Sequence, residues 1–207
     1  MKLIIFGATG TLGRHLVEQA LARGHRVTAF ARRPDALELK HHCLDRRAGD
    51  VLDRQAVADA VRGHDAVVIA LGSGRKGTVR SVGTQHVIEA MQRHGVRRLS
   101  CLSTLGAGDS RAHLNFFWKR IMFGFLLRDA YADHLAQEAC VAESDLDWTI
   151  VRPGAFTNGP ATGAYKHGFP STERNLKLKI SRADIAGFML RQLTDDTYLR
   201  QSPSLSY

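Results

Sequence analysis

The chain has 207 residues, 44% hydrophobic, 24% charged and 7% aromatic, and its 29 Lys plus Arg against 20 Asp plus Glu give a formal charge of +9. That apolar share is enough to offset chain entropy, which excludes disorder as the dominant state, and the length suits one domain. No run reaches the roughly 18 to 20 apolar residues that a membrane helix needs, and residues 1–6 are too short for a signal peptide, so a soluble, cytoplasmic protein is expected.

A pI near 9.9 admits nucleic acid, an anionic surface or a phosphate-bearing ligand. The positive charges, however, fall in pairs (Arg32-Arg33, Arg46-Arg47, Arg97-Arg98) and form no stripe. No nucleic-acid partner is therefore expected. Cys43, Cys101 and Cys140 are widely spaced without a CxxC, which indicates neither a disulfide framework nor a zinc site. His41-His42-Cys43 looks metal-like, but no further ligands follow at a suitable spacing, so it reads as loop and no metal is expected.

In chain order, residues 2–6 form a short apolar run ending in glycine, as a buried parallel strand does. Leu12, Leu16, Val17, Ala20 and Leu21 then recur at helical spacing until Gly24. Residues 25–30 read as a second strand, and a third ends near Gly49-Asp50, before a helix over about 53–62. Residues 65–71 are apolar on both faces, the clearest strand of all. A helix over 78–94 carries Val79, Val82, His86, Ala90 and Met91 and closes at Gly95. A fifth strand spans 97–103, a helix about 130–143, a sixth strand 148–151 and a seventh 176–180. Ser181 with Asp184 gives a capping-box signal for a last helix whose inner face is Ile185, Phe188, Met189 and Leu193. Strands alternating with helices predict an α/β fold, a doubly wound parallel sheet (Rossmann fold) in a single domain over 1–207. Its substrate-side elements are expected at about 104–130 and 153–180.

Gly7-Ala8-Thr9-Gly10-Thr11-Leu12-Gly13 stands between the first strand and the first helix. In that context the glycines are a dinucleotide signature: Gly7 for the tight turn, Gly10 for close approach of a pyrophosphate, Gly13 for helix–strand packing. Thr9, Thr11 and Leu12 belong to the same surface, and the helix N-terminus offers free amides and partial positive charge. About twenty residues on, an NAD site carries an acid and an NADP site an arginine. Here the strand ends in Arg32-Arg33, so the expected cofactor is NADP(H), with Arg32 and Arg33 on the 2′-phosphate. Asp50, beside Val51, either accepts from the adenine amino group or caps the following helix. Gly72-Ser73-Gly74 should pass beneath the nicotinamide ribose, with Leu71 before it as a further cofactor contact. The stretch 72–78 is not a Walker loop, because Lys76 precedes Gly77.

With Gly49-Asp50-Val51 and Leu146-Asp147-Trp148-Thr149-Ile150-Val151-Arg152-Pro153-Gly154, the glycine turn resembles the NAD(P)H-binding family of atypical short-chain dehydrogenases/reductases. Thr162-Gly163-Ala164-Tyr165, Ile180-Ser181-Arg182-Ala183-Asp184 and Gly187-Phe188-Met189-Leu190-Arg191 resemble its biliverdin reductase B-like, flavin-reducing branch. The resemblance implies NADPH binding, with Pro153 and Gly154 added to the cofactor contacts, hydride transfer to flavins or linear tetrapyrroles, and a monomer. Two departures stand out. Tyr131 is followed four residues on by Leu135, so the Tyr-x-x-x-Lys dyad of ketone reductases is missing. Ala155 occupies the substrate-contacting position where that branch carries a histidine, whereas its serine after the fifth strand is kept as Ser103.

Reducing a flavin or quinone asks little of acid catalysis, since solvent can supply the proton. Ser103 and Thr104, at the end of the fifth strand, either touch nicotinamide and acceptor or bond local backbone. His134 faces the same region and is the candidate proton donor, although most of the ten histidines should be surface residues. Residues 114–127 hold four phenylalanines and a tryptophan. Phe116, Phe117 and Trp118 are a candidate substrate wall, the alternatives being a half-buried core helix or a dimer or membrane-surface face. Two functions follow: an NADPH-dependent reductase of a small planar acceptor such as a flavin, or a non-catalytic NADP(H) sensor that binds a partner protein.

Overall fold

Leu3, Ile4, Ile5 and Phe6 of β1 (Lys2–Phe6) are all fully buried, because a strand covered on both faces has no solvent side. Side-chain alternation sends Leu3 and Ile5 into the core layer under α1 (Thr11–Ala22) and α5 (Arg182–Arg191). Ile4 and Phe6 go to the opposite layer, under α2 (Arg54–Val61), α3 (Val79–His94) and α4 (Arg128–Ala142). These elements are seen in a computed structural model that describes residues 1–72, 77–114, 117–170 and 172–207, with backbone alone for residues 117–119.

The remaining strands are β2 (Arg26–Ala31), β3 (Leu44–Ala48), β4 (Ala66–Ile69), β5 (Arg98–Leu102), β6 (Asp147–Pro153), β7 (Ala155–Thr157), β8 (Lys166–His167), β9 (Lys179–Ser181) and β10 (Ser204–Ser206). The main sheet runs β3-β2-β1-β4-β5-β6-β10-β8, parallel except for β8. Phe6 pairs with Phe30 on one side and with Ile69 on the other, so the strand order reverses at β1. This is the doubly wound α/β sheet of a single Rossmann domain. No helix among the described residues is long and apolar enough to cross a membrane.

The tail departs from expectation. The seventh strand, read over 176–180, begins only at Lys179, because Asn175 (φ 59°) and Leu178 (φ 51°) take left-handed backbone that no strand accommodates. It pairs with β7 in a separate two-stranded sheet, while β10, which the sequence did not signal, joins β6 in the main one. Between β5 and α4 lie a 3-10 turn (Gly108–His113) and a wider π-type coil (Phe117–Leu126).

Two carboxylates on helices tie these parts together. Asp133 of α4 accepts the first amides of α3, Arg80 at 3.1 Å and Ser81 at 2.9 Å, a cap that Thr78 does not provide. At α5 the serine half of the expected box forms, Ser181 Oγ accepting from Asp184 N–H at 3.0 Å. The Asp184 carboxylate instead accepts from the amides of Thr162 and Gly163, both at 2.9 Å, and from the hydroxyl of Tyr207 at 2.6 Å. The Thr162–Tyr165 and Ser181–Asp184 signatures are thus two halves of one knot. Burial alone would raise the Asp184 pKa, but these donors outweigh it and hold the carboxyl below its usual range. The resulting stability is complete above the unfolded value of about 3.9 and is lost as pH falls through the lower folded value. Asp184→Ala removes a buried acceptor shared by Thr162, Gly163 and Tyr207 and should cost about 2 kcal/mol, read as a lower urea midpoint.

Candidate cofactor cleft

The carboxyl ends of β1, β2, β4 and β5 open onto a cleft of about 680 Å³ at the switch point between β1 and β4. Its floor is the glycine turn. A side chain at Gly7 (φ 82°) would stand 2.3 Å from the Ala70 carbonyl, and one at Gly13 would stand 2.1 Å from the Gly7 carbonyl. Gly10 donates to the Gly7 carbonyl at 3.0 Å and takes extended backbone ahead of α1. The first intrahelical bond is Arg14 N–H to the Gly10 carbonyl, so the amides of Thr11, Leu12 and Gly13 have no acceptor within the helix. Thr9, Gly10, Thr11 and Leu12 line the cleft, whereas Gly13 does not and serves packing. Free amides, a helix dipole and a surface bare of side chains fit a pyrophosphate. Arg14 braces the turn, donating to the Thr9 carbonyl at 3.3 Å and the Ala36 carbonyl at 2.8 Å.

At the β2 end, the cleft is lined by Phe30, Ala31, Arg32, Gly49, Asp50 and Val51. Phe30 packs at a tilt against Phe6, centroids 4.9 Å apart and 49° between planes, and a Cβ on Gly49 would meet its ring at 2.5 Å. Arg32 is exposed and faces the cleft, while Arg33, in the bend that follows β2, lies outside its lining. Asp50 accepts from the Leu52 amide at 3.0 Å. It is not the cap of α2: that is Asp53, which accepts from Gln55 and Ala56.

The other end brings together Leu71, Gly72, Arg80, Ser103, Thr104, His134 and Phe156. Ser103 donates its amide to the Val151 carbonyl at 2.8 Å, but its buried hydroxyl has no partner among the described residues. The Thr104 hydroxyl is already turned to the Leu105 carbonyl, at 3.4 Å. Burial, and then the Arg80 cation, push the His134 pKa down to about 4. The ring expected to donate a proton is therefore a neutral imidazole near pH 7, able to hydrogen-bond but not to act as an imidazolium acid. Tyr131 stacks on Phe123 and spends its hydroxyl on the Gly106 carbonyl at 2.8 Å.

Besides Gly13 and Arg33, three more expected contacts lie away from the cleft. Pro153 and Gly154 do not line it, a Cβ on Gly154 meeting the Leu178 backbone at 2.6 Å. Ala155, held by its amide to the Leu178 carbonyl at 2.8 Å, is exposed on β7, and strand alternation turns Phe156 into the cleft instead. The Arg182 guanidinium covers the Phe156 ring at 5.4 Å and is fixed by Asn158 at 2.8 Å. Only recognition of β7 as a strand would have singled out Phe156. Ser73 and Phe116 fall outside the described residues, as do the side chains of Phe117 and Trp118.

Residues 7–196 match the NAD(P)H-binding family, and the chain belongs to it. The fold and family make it an atypical short-chain dehydrogenase/reductase. It is 30% identical over 205 residues to UPF0659 protein YMR090W of Saccharomyces cerevisiae, covering 93% of this chain and 87% of the relative. Sterol demethylase protein B of Methylococcus capsulatus is 37% identical over 175 residues, which cover 77% of this chain but 52% of that protein. ChuY, an anaerobillin reductase from Escherichia coli O157:H7, superposes with a TM-score of 0.82 at 27% identity, over 99% of this chain and 96% of its own.

Gly10→Asp separates binding from folding. A Cβ there would stand 3.2 Å from the Gly7 carbonyl, a crowding that the N-cap preference of aspartate offsets, so the melting temperature should stay within about 5 °C of the wild type. A carboxylate at the phosphate site should nonetheless weaken NADPH at least about tenfold in a fluorescence titration.

Proposed function

We propose that this protein is an NADPH-dependent reductase whose acceptor is a planar, electron-poor ring system, a flavin first, with quinones and linear tetrapyrroles as chemical equivalents. The observation that carries the reading is the make-up of the inner end of the cleft. Among the described residues it offers one unpartnered hydroxyl, a neutral imidazole and an aromatic face, and neither a Tyr-Lys dyad nor an acid suited to protonating a ketone oxygen. When bound, the nicotinamide supplies hydride from its C4 position. The protein's part is then to orient two planar groups and exclude water.

Ser103 Oγ is the group in reach of a nicotinamide amide or an acceptor carbonyl, because its hydrogen-bonding capacity is unspent. Phe156 supplies the stacking face that the acceptor needs, and Arg182 above its ring adds a cation beside an anionic substituent. At the opposite end, Arg32 faces the cleft with no competing ion pair among the described residues, which favours a 2′-phosphate over a bare ribose. The reductase activity of ChuY supports the oxidoreductase class and makes a linear tetrapyrrole the second acceptor to try.

The test is NADPH consumption at 340 nm with FMN, with NADH as the alternative donor. Turnover favouring NADPH is expected, and Arg32→Ala should weaken NADPH by about 10- to 100-fold while leaving NADH nearly unchanged. Saturable NADPH binding without turnover on flavins, quinones or biliverdin would replace the enzyme by the sensor. Phe156→Ala should raise the acceptor KM several-fold with NADPH affinity intact. Equal loss of both would remove the stacking role.

A further inference from the structure

We propose that the turn His41-His42-Cys43 is a surface site for a borderline-soft divalent transition ion of the zinc class. One ligand atom from each of the three residues lies within 4.8 Å of the other two. The imidazole rings pack together, centroids 4.6 Å apart and 22° between planes, which keeps both side chains on one patch of the turn. The turn is built, not loose. Leu44 donates to the His41 carbonyl at 3.1 Å, the Cys43 carbonyl accepts from Val27 of β2 at 2.9 Å, and the Leu44 side chain is buried in the core.

His41 Nδ1 accepts the Cys43 amide at 3.1 Å, so this ring nitrogen presents its lone pair toward the cysteine. A metal ion entering there exchanges one exposed backbone hydrogen bond for a coordinate bond. Two nitrogens and a sulfur form a donor set for tetrahedral N/S ions, and the lack of carboxylates disfavours magnesium and calcium. Three protein ligands leave a fourth position for water, which makes the site open and exchangeable. On binding, the Cys43 S–H bond breaks, its proton goes to solvent and a sulfur–metal bond forms without redox change. Affinity therefore rises with pH. The turn precedes β3, at the end of the parallel sheet opposite the cofactor cleft, so metal and nucleotide binding are separable.

The experiment titrates the reduced full chain with Co²⁺, the spectroscopic stand-in for zinc. A one-to-one thiolate-to-metal charge-transfer band in the near ultraviolet is expected, displaced by Zn²⁺ and stronger as pH is raised. Cys43→Ser should abolish it, His41→Asn and His42→Asn should each weaken Co²⁺ at least about tenfold, and Cys140→Ser should leave it intact. All four variants should keep wild-type NADPH affinity, which certifies the fold and leaves the proposed reductase activity unaffected by the result. Absence of a sulfur band in the wild type, its survival in Cys43→Ser, or indifference to both histidine variants would each overturn the site.

Discussion

Strand, turn and helix come closest at the carbonyl of Gly7, which accepts the Gly10 amide at 3.0 Å and leaves no room for a side chain on Gly13. That approach presses α1 onto β1, so Leu12, Leu16 and Val17 reach the same core layer as Leu3 and Ile5. It also fixes where the unbonded amides of the helix start, and so where negative charge can be held. A methyl group at Gly7 or Gly13 would have to move backbone, not side chain. Core packing and anion binding therefore rest on one contact.

The inner end of the cleft is set by buried charges. Arg152, near the end of β6, makes a paired contact with Glu138 at 2.9 and 2.7 Å and also reaches Asp109, locking this strand to α4 and to the 3-10 turn. Asp133, one turn earlier on α4, holds the start of α3 and the Arg80 side chain. Gln137 donates to Thr84 at 3.0 Å between them. A helix fastened this way needs little apolar stripe, and α4 has little. Removing one member of such a buried pair costs about 3–5 kcal/mol because the other is left without compensation, whereas the intact pair contributes little net stability. What the network provides is position: it places His134 against Arg80, and that burial and neighbour keep its ring uncharged.

The cleft is thus graded along its length. Exposed Arg32 and the helix dipole of α1 put positive potential at one end, while at the other end the Arg80 cation is paired with Asp133 beside a neutral imidazole, a hydroxyl and the Phe156 ring under Arg182. The capacity to hold an anion is therefore strongest at the α1 end, where the helix amides have no acceptor within the helix.

Most of the sheet was legible because β1, β4 and the first helix carry local signals: apolar runs, a 3.6-residue period and glycines where no side chain fits. Gly7, Gly10, Gly13 and Arg32 could be placed at the carboxyl end of the sheet from sequence because their positions depend on backbone conformation and strand order alone. The last third was not legible in the same way. Left-handed Asn175 and Leu178 delay β9, β7 is three residues long, and β10 is a serine-flanked leucine whose pairing with β6 spans some fifty residues. Phe156 rather than Ala155 facing the cleft, Asp184 tying Thr162 to Tyr207, and Asp133 capping a helix other than its own are contacts between distant segments. By itself, the sequence determined most of the sheet and its glycine turn, since those are fixed by local sterics and periodicity. Tertiary structure alone decided which side chains meet at the inner end of the cleft, because burial and charge there are properties of neighbours the chain brings in from far away.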